Sequence, residues 1–476
     1  MENFLENYRK PKISPLSNLR LPARATIYYM LTSALAKVVG ILTTPIFTRI
    51  LSGEDFGKYT LYMSWLGLFT IICSGIISQA VIYRGFEKFK DKKQSFLFSA
   101  FVLGIGFTAV ICSLLFAFSP FLGLETDFVL LLSIQLLCDE TVGIFQTARR
   151  YEYNYRALSL TNAISVILTP ILSVVLIFGT NIGYKGRIFA LLIVSLCIAI
   201  PHLYALLRLG VGKFESAMAK YVLGRTLPLL PHTTSVAFGA EIDKLMITTL
   251  LGAEALAKYS VAHTLGLGLG FAVSALASSL YPWVVRKLSS GKGHEVEPTF
   301  GALITAIGGV VIAIALFVPE IFAFLAPKAY ADAALATLPL LISTLPSFAS
   351  SFVTVGIVNK EKGGYTFYSA AGSIITNVIL NLFLIPKLKY IGAAISLLIS
   401  VTAGLILNCI FLKRSGSAEI FSQKTFLKQL TISSLGTLAA PLTYENTAIR
   451  ILLLTIPTAM LFKSYEILRT MIREEA

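Results

Sequence analysis

Charged residues are scarce in this sequence of 476 residues. Only 14% of the chain is Asp, Glu, Lys or Arg, against roughly 25% in an average soluble protein, while 55% is hydrophobic. This composition offers too little polar surface to cover a fold in water. Apolar runs of the roughly 20 residues needed to cross a bilayer recur from Ala25 to Phe462. The composition therefore predicts an all-α integral membrane protein and excludes a soluble catalytic domain within the chain.

Residues that bind metals or nucleotides are also few. The five cysteines each stand alone inside an apolar run, with no CxxC or CxH spacing, so we expect small buried hydrophobic side chains rather than a metal site or a disulfide. The four histidines are scattered, which favours hydrogen-bonded core residues over ligands. No G-x-x-x-x-G-K-[ST] stretch is present, so no ATP site is visible. We expect no metal and no bound cofactor.

Fourteen apolar segments are bounded by charges, glycine or proline. Such segments are typical of transmembrane helices, and we predict about fourteen of them, within a range of twelve to fourteen. The predicted spans are 25–48, 59–82, 95–119, 127–147, 157–179, 187–207, 226–251, 259–284, 299–325, 333–358, 365–386, 391–412, 427–444 and 448–466.

Lysine and arginine collect in alternate connections between these spans. With the N-terminus inside, the even-numbered connections and the two ends hold 29 of the 40 Lys and Arg residues. Cytoplasmic loops of membrane proteins accumulate these residues. The pattern predicts that both termini are cytoplasmic. No short apolar core followed by a small-residue cleavage site precedes the first span, so the polar first 24 residues are expected to stay attached. The net charge of +15 is mostly a topology signal, with attraction to anionic lipid as a second effect, and no nucleic-acid partner is expected.

The chain contains an internal repeat at an offset of 200 residues. Segments 48–60 and 248–260 share five identities, namely Thr48/Thr248, Leu51/Leu251, Glu54/Glu254, Lys58/Lys258 and Tyr59/Tyr259. A weaker similarity relates the surroundings of Gly186 to those of Gly392. Duplicated helix bundles predict two like-oriented lobes of six helices. The predicted domains are an N-terminal segment 1–24, an N-lobe 25–210, a C-lobe 220–414, and an appendage of two helices with a tail, 425–476.

Two segments resemble a known family. Residues 40–62, "GILTTPIFTRILSGEDFGKYTLY", resemble the start of polysaccharide flippases, the Wzx-like O-antigen exporters of the multidrug/oligosaccharidyl-lipid/polysaccharide (MOP) superfamily. Residues 227–262, with an Asp-Lys pair followed by Leu-Gly and Lys-Tyr-Ser, are similar to the same family's seventh and eighth helices. The resemblance extends over nearly the whole chain in helix order and spacing.

The resemblance implies two lobes that face a central cavity, open alternately to either side of a bacterial plasma membrane. It also implies a substrate of the undecaprenyl-diphosphate-oligosaccharide type. Expected partners are this lipid-linked oligosaccharide, membrane lipid, and a polysaccharide polymerase with its chain-length machinery. Because no ATP site is visible, a gradient of H⁺ or Na⁺ is the expected driving force.

Basic side chains within the spans are the first candidate site. A charge near the bilayer centre costs at least about 2.5 to 3.5 kcal/mol on insertion scales, so it normally faces water or a partner. Lys37, Arg49 and Lys244 are predicted to give the cavity a positive field for a diphosphate or an acidic sugar. Two other interpretations stay open: Lys244 pairs with Glu241 on its own helix, and Arg49 lies at the outer headgroups.

Acidic side chains within the spans are the second candidate site. Asp139, Glu140, Glu241 and Asp243 are candidates for binding the coupling ion, because a carboxylate in a low dielectric can carry a proton. Adjacent residues project about 100° apart on a helix, so Asp139 and Glu140 cannot both face one narrow stripe. The alternative for them is a structural pairing with a buried cation such as Lys37.

Other functions are compatible with parts of the pattern. A lipid II flippase, or a cation-coupled multidrug (MATE) exporter, would share the architecture and change the cargo. A membrane glycosyltransferase, polymerase or ligase needs a site outside the bilayer. The longest predicted external connection has only about ten residues and no concentration of catalytic groups, so we expect no enzyme.

Overall fold

The fold is entirely helical wherever the structure describes it. This computed structural model describes residues 21–75, 79–210, 214–416 and 420–475, and contains no strand in those ranges. The predicted cytoplasmic segment 1–24 lies almost wholly outside them. The α-helices, in chain order, are α1 (Leu21–Ile50), α2 (Gly53–Gly75), α3 (Gln79–Lys88), α4 (Lys93–Phe118), α5 (Thr126–Tyr151), α6 (Tyr155–Thr180), α7 (Tyr184–Gly210), α8 (Ser216–Thr226), α9 (Leu230–Leu251), α10 (Ala253–Ser289), α11 (Val296–Leu316), α12 (Val318–Leu325), α13 (Ala334–Asn359), α14 (Gly364–Ser415), α15 (Gln423–Ala439), α16 (Thr447–Leu453) and α17 (Thr455–Glu475).

Ten helical stretches of the described chain are long and apolar enough to cross a membrane. This confirms the predicted all-α, multi-pass membrane fold. Three predicted spans are missing from the ten. Their helices are α2, which is interrupted by Tyr, Ser and Thr, α9, which carries three charges, and α15, which has 17 residues. The 52-residue α14 covers two predicted spans. The count of fourteen therefore stays a prediction.

Helix α14 is a hairpin of two helical arms. Its backbone leaves helical geometry at Lys389, with φ 53° and ψ −141°, three residues after Pro386, which cannot donate a helical hydrogen bond. The arms return along each other: the rings of Tyr365 and Phe411 stack at 4.7 Å. A Cβ at Gly392 would lie 2.3 Å from the Leu384 carbonyl oxygen, so glycine is required where the arms meet. The two arms correspond to the predicted spans 365–386 and 391–412.

The two copies of the repeat have the same local structure. In each, one helix ends, a short break follows, and the next helix begins with a glutamate in its first turn, Glu54 in α2 and Glu254 in α10. An acidic residue is favourable there because the N-terminus of a helix carries partial positive charge. The copies also touch, since a Cβ at Gly57 would lie 1.8 Å from the Ala253 carbonyl oxygen.

The chain divides into two compact units. Unit 1 comprises Met1–Thr43 and Lys58–Glu241, and unit 2 comprises Thr44–Gly57 and Ile242–Ala476. The domain boundaries 1–24, 25–210, 220–414 and 425–476 stay a prediction.

Unit 1 is built on α4, α5 and α7. Its apolar core includes Ile82, Phe96 and Leu132, each fully buried. Four of the five cysteines of the chain are buried, as expected for small apolar side chains, whereas Cys197 on α7 is exposed.

Unit 2 is centred on α11 and α13, its most enclosed helices. Phe300 of α11 packs against Phe348 and Phe352 of α13, with ring centres 6.0 and 5.2 Å apart. Glycines on α11 admit the C-terminal helices: a Cβ at Gly308 would lie 2.2 Å from the Ser433 Oγ of α15. The predicted appendage is thus packed directly on the core of unit 2.

Candidate functional site

Asp243 is the centre of a buried polar network in unit 2. Its side chain on α9 is 8% exposed. Asn381 Nδ2, from the first arm of α14, donates to Asp243 Oδ1 at 2.6 Å, and the Tyr259 hydroxyl of α10 donates to Oδ2 at 3.4 Å. Asn381 Nδ2 also donates to Asn377 Oδ1 at 2.9 Å. Three helices are therefore joined around one carboxylate.

The network is rich in oxygen atoms that can bind a small cation. Asn381 Oδ1 is buried and has no hydrogen-bond partner among the described residues. Together with the Asp243 carboxylate and Asn377 Oδ1 it forms a set of hard oxygen donors, which suit Na⁺ or a proton rather than a soft metal. Across residues 21–75, 79–210, 214–416 and 420–475, no three His, Cys, Asp or Glu side chains are grouped to hold a metal ion.

Lys244 and Glu241 lie on α9 near Asp243. Lys244 is half-buried and close enough to Asp243 for its charge to act on that carboxylate. Glu241 is half-buried in unit 1, where a Cβ at Gly67 would lie 3.2 Å from Glu241 Oε1. Gly67 on α2 thus leaves room for the Glu241 carboxyl group. The structure brings Asp243 into a defined network, and the roles predicted for Lys244 and Glu241 stay predictions.

Asp139 and Glu140 belong to unit 1 and have different surroundings. Gln135 Nε2, one turn earlier on α5, donates to Asp139 Oδ1 at 2.8 Å and to Ser195 Oγ of α7 at 2.7 Å. The donor to Asp139 is thus an amide rather than Lys37. Glu140 is 4% exposed, and its Oε1 has no hydrogen-bond partner in the described part of the chain.

Lys37 and Arg49 both lie on α1 and are exposed. The Arg49 guanidinium donates to two main-chain oxygens, that of Pro45 at 2.8 Å and that of Ala323 at 3.1 Å. Arg49 therefore ties the end of α1 to α12 within unit 2, which leaves part of its donor set for a ligand. The predicted roles of Lys37 and Arg49 in binding an anion stay predictions.

Sequence reasoning from charges missed the amide side chains of these networks. Gln135, Asn377 and Asn381 carry no charge, yet each lies within a predicted span and hydrogen-bonds to a carboxylate or to another amide. A signal was available, because Gln135/Asp139 and Asn377/Asn381 are spaced by four residues, which places both members of each pair on one helix face. A polar amide at membrane depth also requires a partner.

A family model and a relative of known locus match the sequence of this chain. The family model described as "Polysaccharide biosynthesis protein" matches residues 23–288, more than half of the chain. Protein 1 of the Lsg locus of Haemophilus influenzae is 23% identical over 276 residues, which are 56% of this chain and 67% of that protein.

Solved transporter structures share the fold. A structure of the lipid II flippase MurJ in an inward closed conformation superposes with a TM-score of 0.71 at 16% identity, covering 94% of this chain and 100% of that one. A mutant of the Vibrio cholerae MATE transporter VcmN gives 0.56 at 14% identity, with 83% and 97% covered. A MOP superfamily transporter from Pyrococcus furiosus gives 0.57 at 14% identity, with 84% and 97% covered.

Proposed function

The chain belongs to the family of polysaccharide biosynthesis proteins, and on that premise we propose that it moves a polyprenyl-diphosphate-linked oligosaccharide across the bacterial plasma membrane. The chain is a multi-pass membrane protein with the fold of MOP transporters. Its family and its structural neighbours are transporters and flippases rather than enzymes. The family match is the observation that carries the choice of cargo. The product would supply surface polysaccharide such as O-antigen, capsule or exopolysaccharide.

The proposed mechanism is alternating access with a cationic path for the headgroup. A diphosphate carries negative charge into a region where each charge costs several kcal/mol without compensation. Lys37, Lys244 and the remaining donors of Arg49 would offset that cost, Lys as a point charge and Arg as a planar fork. A polysaccharide polymerase with its chain-length machinery would take over the released product.

Coupling to an ion gradient is proposed at Asp243. A carboxylate held by amides and a phenol keeps its hydrogen bonds whether or not a cation is bound, because amides can donate to it and also supply carbonyl oxygens. Binding of H⁺ or Na⁺ changes the charge of the network, and with it the preference of its three helices for one packing arrangement. Asp139, Glu140 and Glu241 are further candidates for this ion.

Lipid II is the second candidate cargo. The likeness to the lipid II flippase covers 94% of this chain with a TM-score of 0.71, above the 0.56 of the VcmN mutant and the 0.57 of the Pyrococcus furiosus transporter. Lipid II also carries a polyprenyl diphosphate, so the same cations would serve it. A multidrug exporter handles cations, and the basic candidate residues disfavour that cargo.

The decisive experiment is translocation in vesicles that contain the purified chain. We expect labelled lipid-linked oligosaccharide to cross when an H⁺ or Na⁺ gradient is applied, and lipid II and a cationic dye to cross slowly or not at all. Faster movement of lipid II would shift the proposal to the second cargo. Movement of the dye alone would contradict both.

Substitution of the cations provides a test in cells. Lys37→Ala and Lys244→Ala are expected to lower surface polysaccharide by about tenfold, since each removes a charge that compensates the diphosphate. Membrane abundance should stay normal, measured by immunoblot. Lys90→Ala is the matched control, because Lys90 is an exposed lysine that pairs with Glu87 at 3.2 Å. Normal surface polymer in both test variants would remove the cationic path from the proposal.

A further inference from the structure

Three hydrogen-bond donors at one end of unit 1 are buried and unsatisfied. The Nε atoms of Arg150 and Arg156 and the hydroxyl of Tyr29 are each enclosed, and none has a hydrogen-bond partner among the described residues. A buried donor without a partner costs roughly 1 to 3 kcal/mol, and more when it is charged. Such a concentration of unmet donors points to a ligand that supplies acceptors.

Aromatic contacts connect the helix ends that carry the three donors. The Arg150 guanidinium, at the end of α5, lies 5.4 Å from the centre of the Tyr29 ring on α1. Next to Tyr29, the ring of Tyr28 packs 5.0 Å from that of Tyr155. Tyr155 begins α6 and directly precedes Arg156, whose guanidinium lies 5.9 Å from the Tyr155 ring. The start of α1, the end of α5 and the start of α6 therefore converge here.

The adjacent Arg149, in contrast, has a partner for its charge. Arg149 donates to the Glu152 carboxylate at 2.8 Å and lies over the Phe145 ring at 5.0 Å. Arg150 and Arg156 form no ion pair with any carboxylate in the ranges that the structure describes. Glu152, the acidic residue between them in sequence, is thus already engaged by Arg149.

We propose that Arg150, Arg156 and Tyr29 form a binding site for a phosphate group carried by a membrane lipid. Phosphate oxygens accept charge-assisted hydrogen bonds from the planar guanidinium fork, and a phenol hydroxyl adds a further donor. Tyrosines around the site are typical of the membrane interface, where the headgroups of lipids lie. The basic residues of this connection place it on the predicted cytoplasmic side.

The phosphate has two possible sources with the same chemistry, the diphosphate of the cargo and the headgroup of an anionic phospholipid. The first source rests on the proposed function, and the site then holds the cargo before translocation. The second source makes it a lipid site of the inner leaflet, independent of the cargo.

Lipid binding to the purified full-length chain tests the site. Undecaprenyl diphosphate, phosphatidylglycerol and uncharged undecaprenol are titrated separately, and bound lipid is counted by native mass spectrometry. Arg150→Gln with Arg156→Gln should weaken diphosphate binding by about tenfold or more, and Tyr29→Phe by a smaller factor. Undecaprenol binding should not change. Arg149→Gln is the control, because it removes an equal charge from the adjacent residue.

The results distinguish a cargo site, an anionic-lipid site and the absence of a phosphate site. A loss confined to the diphosphate assigns the site to the cargo, and an equal loss for phosphatidylglycerol assigns it to anionic lipid. Unchanged affinities in the double variant would overturn the site, as would an equal loss in Arg149→Gln, which would show only a diffuse effect of charge. Thermal unfolding of Tyr29→Phe, whose ring is retained, distinguishes lost binding from lost folding. The vesicle assay judges the flippase proposal separately.

Discussion

Two buried carboxylates among the described residues, those of Asp139 and Asp243, accept hydrogen bonds from amide side chains. Gln135 donates a hydrogen bond to Asp139 at 2.8 Å, and Asn381 donates one to Asp243 at 2.6 Å. An arginine or lysine partner would hold the carboxylate permanently ionised by direct pairing. An amide satisfies the oxygen without adding charge, so the group stays able to exchange a proton or a metal cation. This choice of partner favours an exchangeable ion over a structural ion pair.

Asp243→Asn is the sharpest residue-level test of ion coupling. Asn has the same shape and can still accept from Asn381, so the network and the fold should persist, whereas the charge that attracts a cation is lost. We expect gradient-driven translocation in vesicles to fall by about tenfold or more, with an unfolding temperature close to that of the unsubstituted chain.

The control for Asp243→Asn is Glu297→Gln, which changes a half-buried carboxylate of unit 2 that accepts from Thr425 at 3.0 Å. It should leave coupling intact. Full gradient dependence in Asp243→Asn would exclude Asp243 as the coupling group, and the acidic pair on α5 would become the candidate.

Charges within spans could be identified from the sequence, but their partners could not. Insertion energetics identified Asp243 as one of several candidate charges within the predicted spans. Its partner Asn381 is 138 residues away in the chain, and local spacing carries no information on which helices pack together. The same limit applies to Arg49, whose guanidinium donates to the carbonyl oxygen of Ala323. Because every residue has a main-chain carbonyl group, the sequence does not indicate which one accepts this hydrogen bond.

Close contacts between helices depend on glycine at a few positions. Gly57 admits the first turn of α10, and Gly392 admits the first arm of α14. In both places the facing atom is a main-chain oxygen, which cannot rotate away as a side chain can. The repeat that was visible in sequence thus also provides a contact between its own two copies.

Gly57→Ala is expected to lower the stability of unit 2. Its Cβ would lie 1.8 Å from the Ala253 carbonyl oxygen, so α2 and α10 would have to separate. Overpacking of this kind costs typically 1 to 3 kcal/mol. Thermal unfolding in detergent measures the change.

Gly106→Ala on α4 is the matched control for Gly57→Ala, because nothing lies within 4 Å of its added Cβ. Alanine is preferred over glycine in helices by about 1 kcal/mol, so this variant should be as stable as the parent or more so. Equal unfolding temperatures for the two variants would show that the contact at Gly57 is not tight.

Helix boundaries were predicted best where sequence chemistry changes abruptly. Spans 365–386 and 391–412 match the two arms of α14 because Pro386 and a pair of lysines mark the turn. The start of α9 was harder to predict from the sequence, because Leu227–Leu229 forms a separate 3₁₀ turn before it. Proline at that turn is compatible with either a break or a helix start.

At the scale of the whole molecule, basic residues define the expected orientation. Reporter domains fused after Lys93 or Arg414 should lie in the cytoplasm, and one inserted at Lys328 should lie outside, because inward loops retain Lys and Arg. Accessibility to an impermeant labelling reagent in intact cells measures this. External labelling at Lys93 and Arg414 would reverse the topology and place the Arg150 site on the outer side.

The C-terminal helices are an integral part of unit 2. Arg450 of α16 forms an ion pair with Glu320 of α12 and is largely buried, while the Tyr444 hydroxyl donates to the Ala315 carbonyl oxygen at 3.0 Å. Sequence reasoning separated these helices as an appendage because the repeat ends before them. The glycine-containing face of α11 that contacts these helices is marked in the sequence only by its small residues.

The lysines at the tip of the α14 hairpin are expected to set how deeply the Asp243 network lies in the bilayer. Lys387 and Lys389 are exposed where the arms reverse, and their ammonium groups favour water over acyl chains. Asn381 lies eight residues before Lys389, about 12 Å down the arm at 1.5 Å per residue. The tip should therefore stay at the water interface, and the rigid helical arm keeps the Asn381 amide at a fixed distance from it. In a thicker bilayer the hairpin should tilt less rather than submerge its tip, which makes acyl-chain length a variable of the proposed ion coupling.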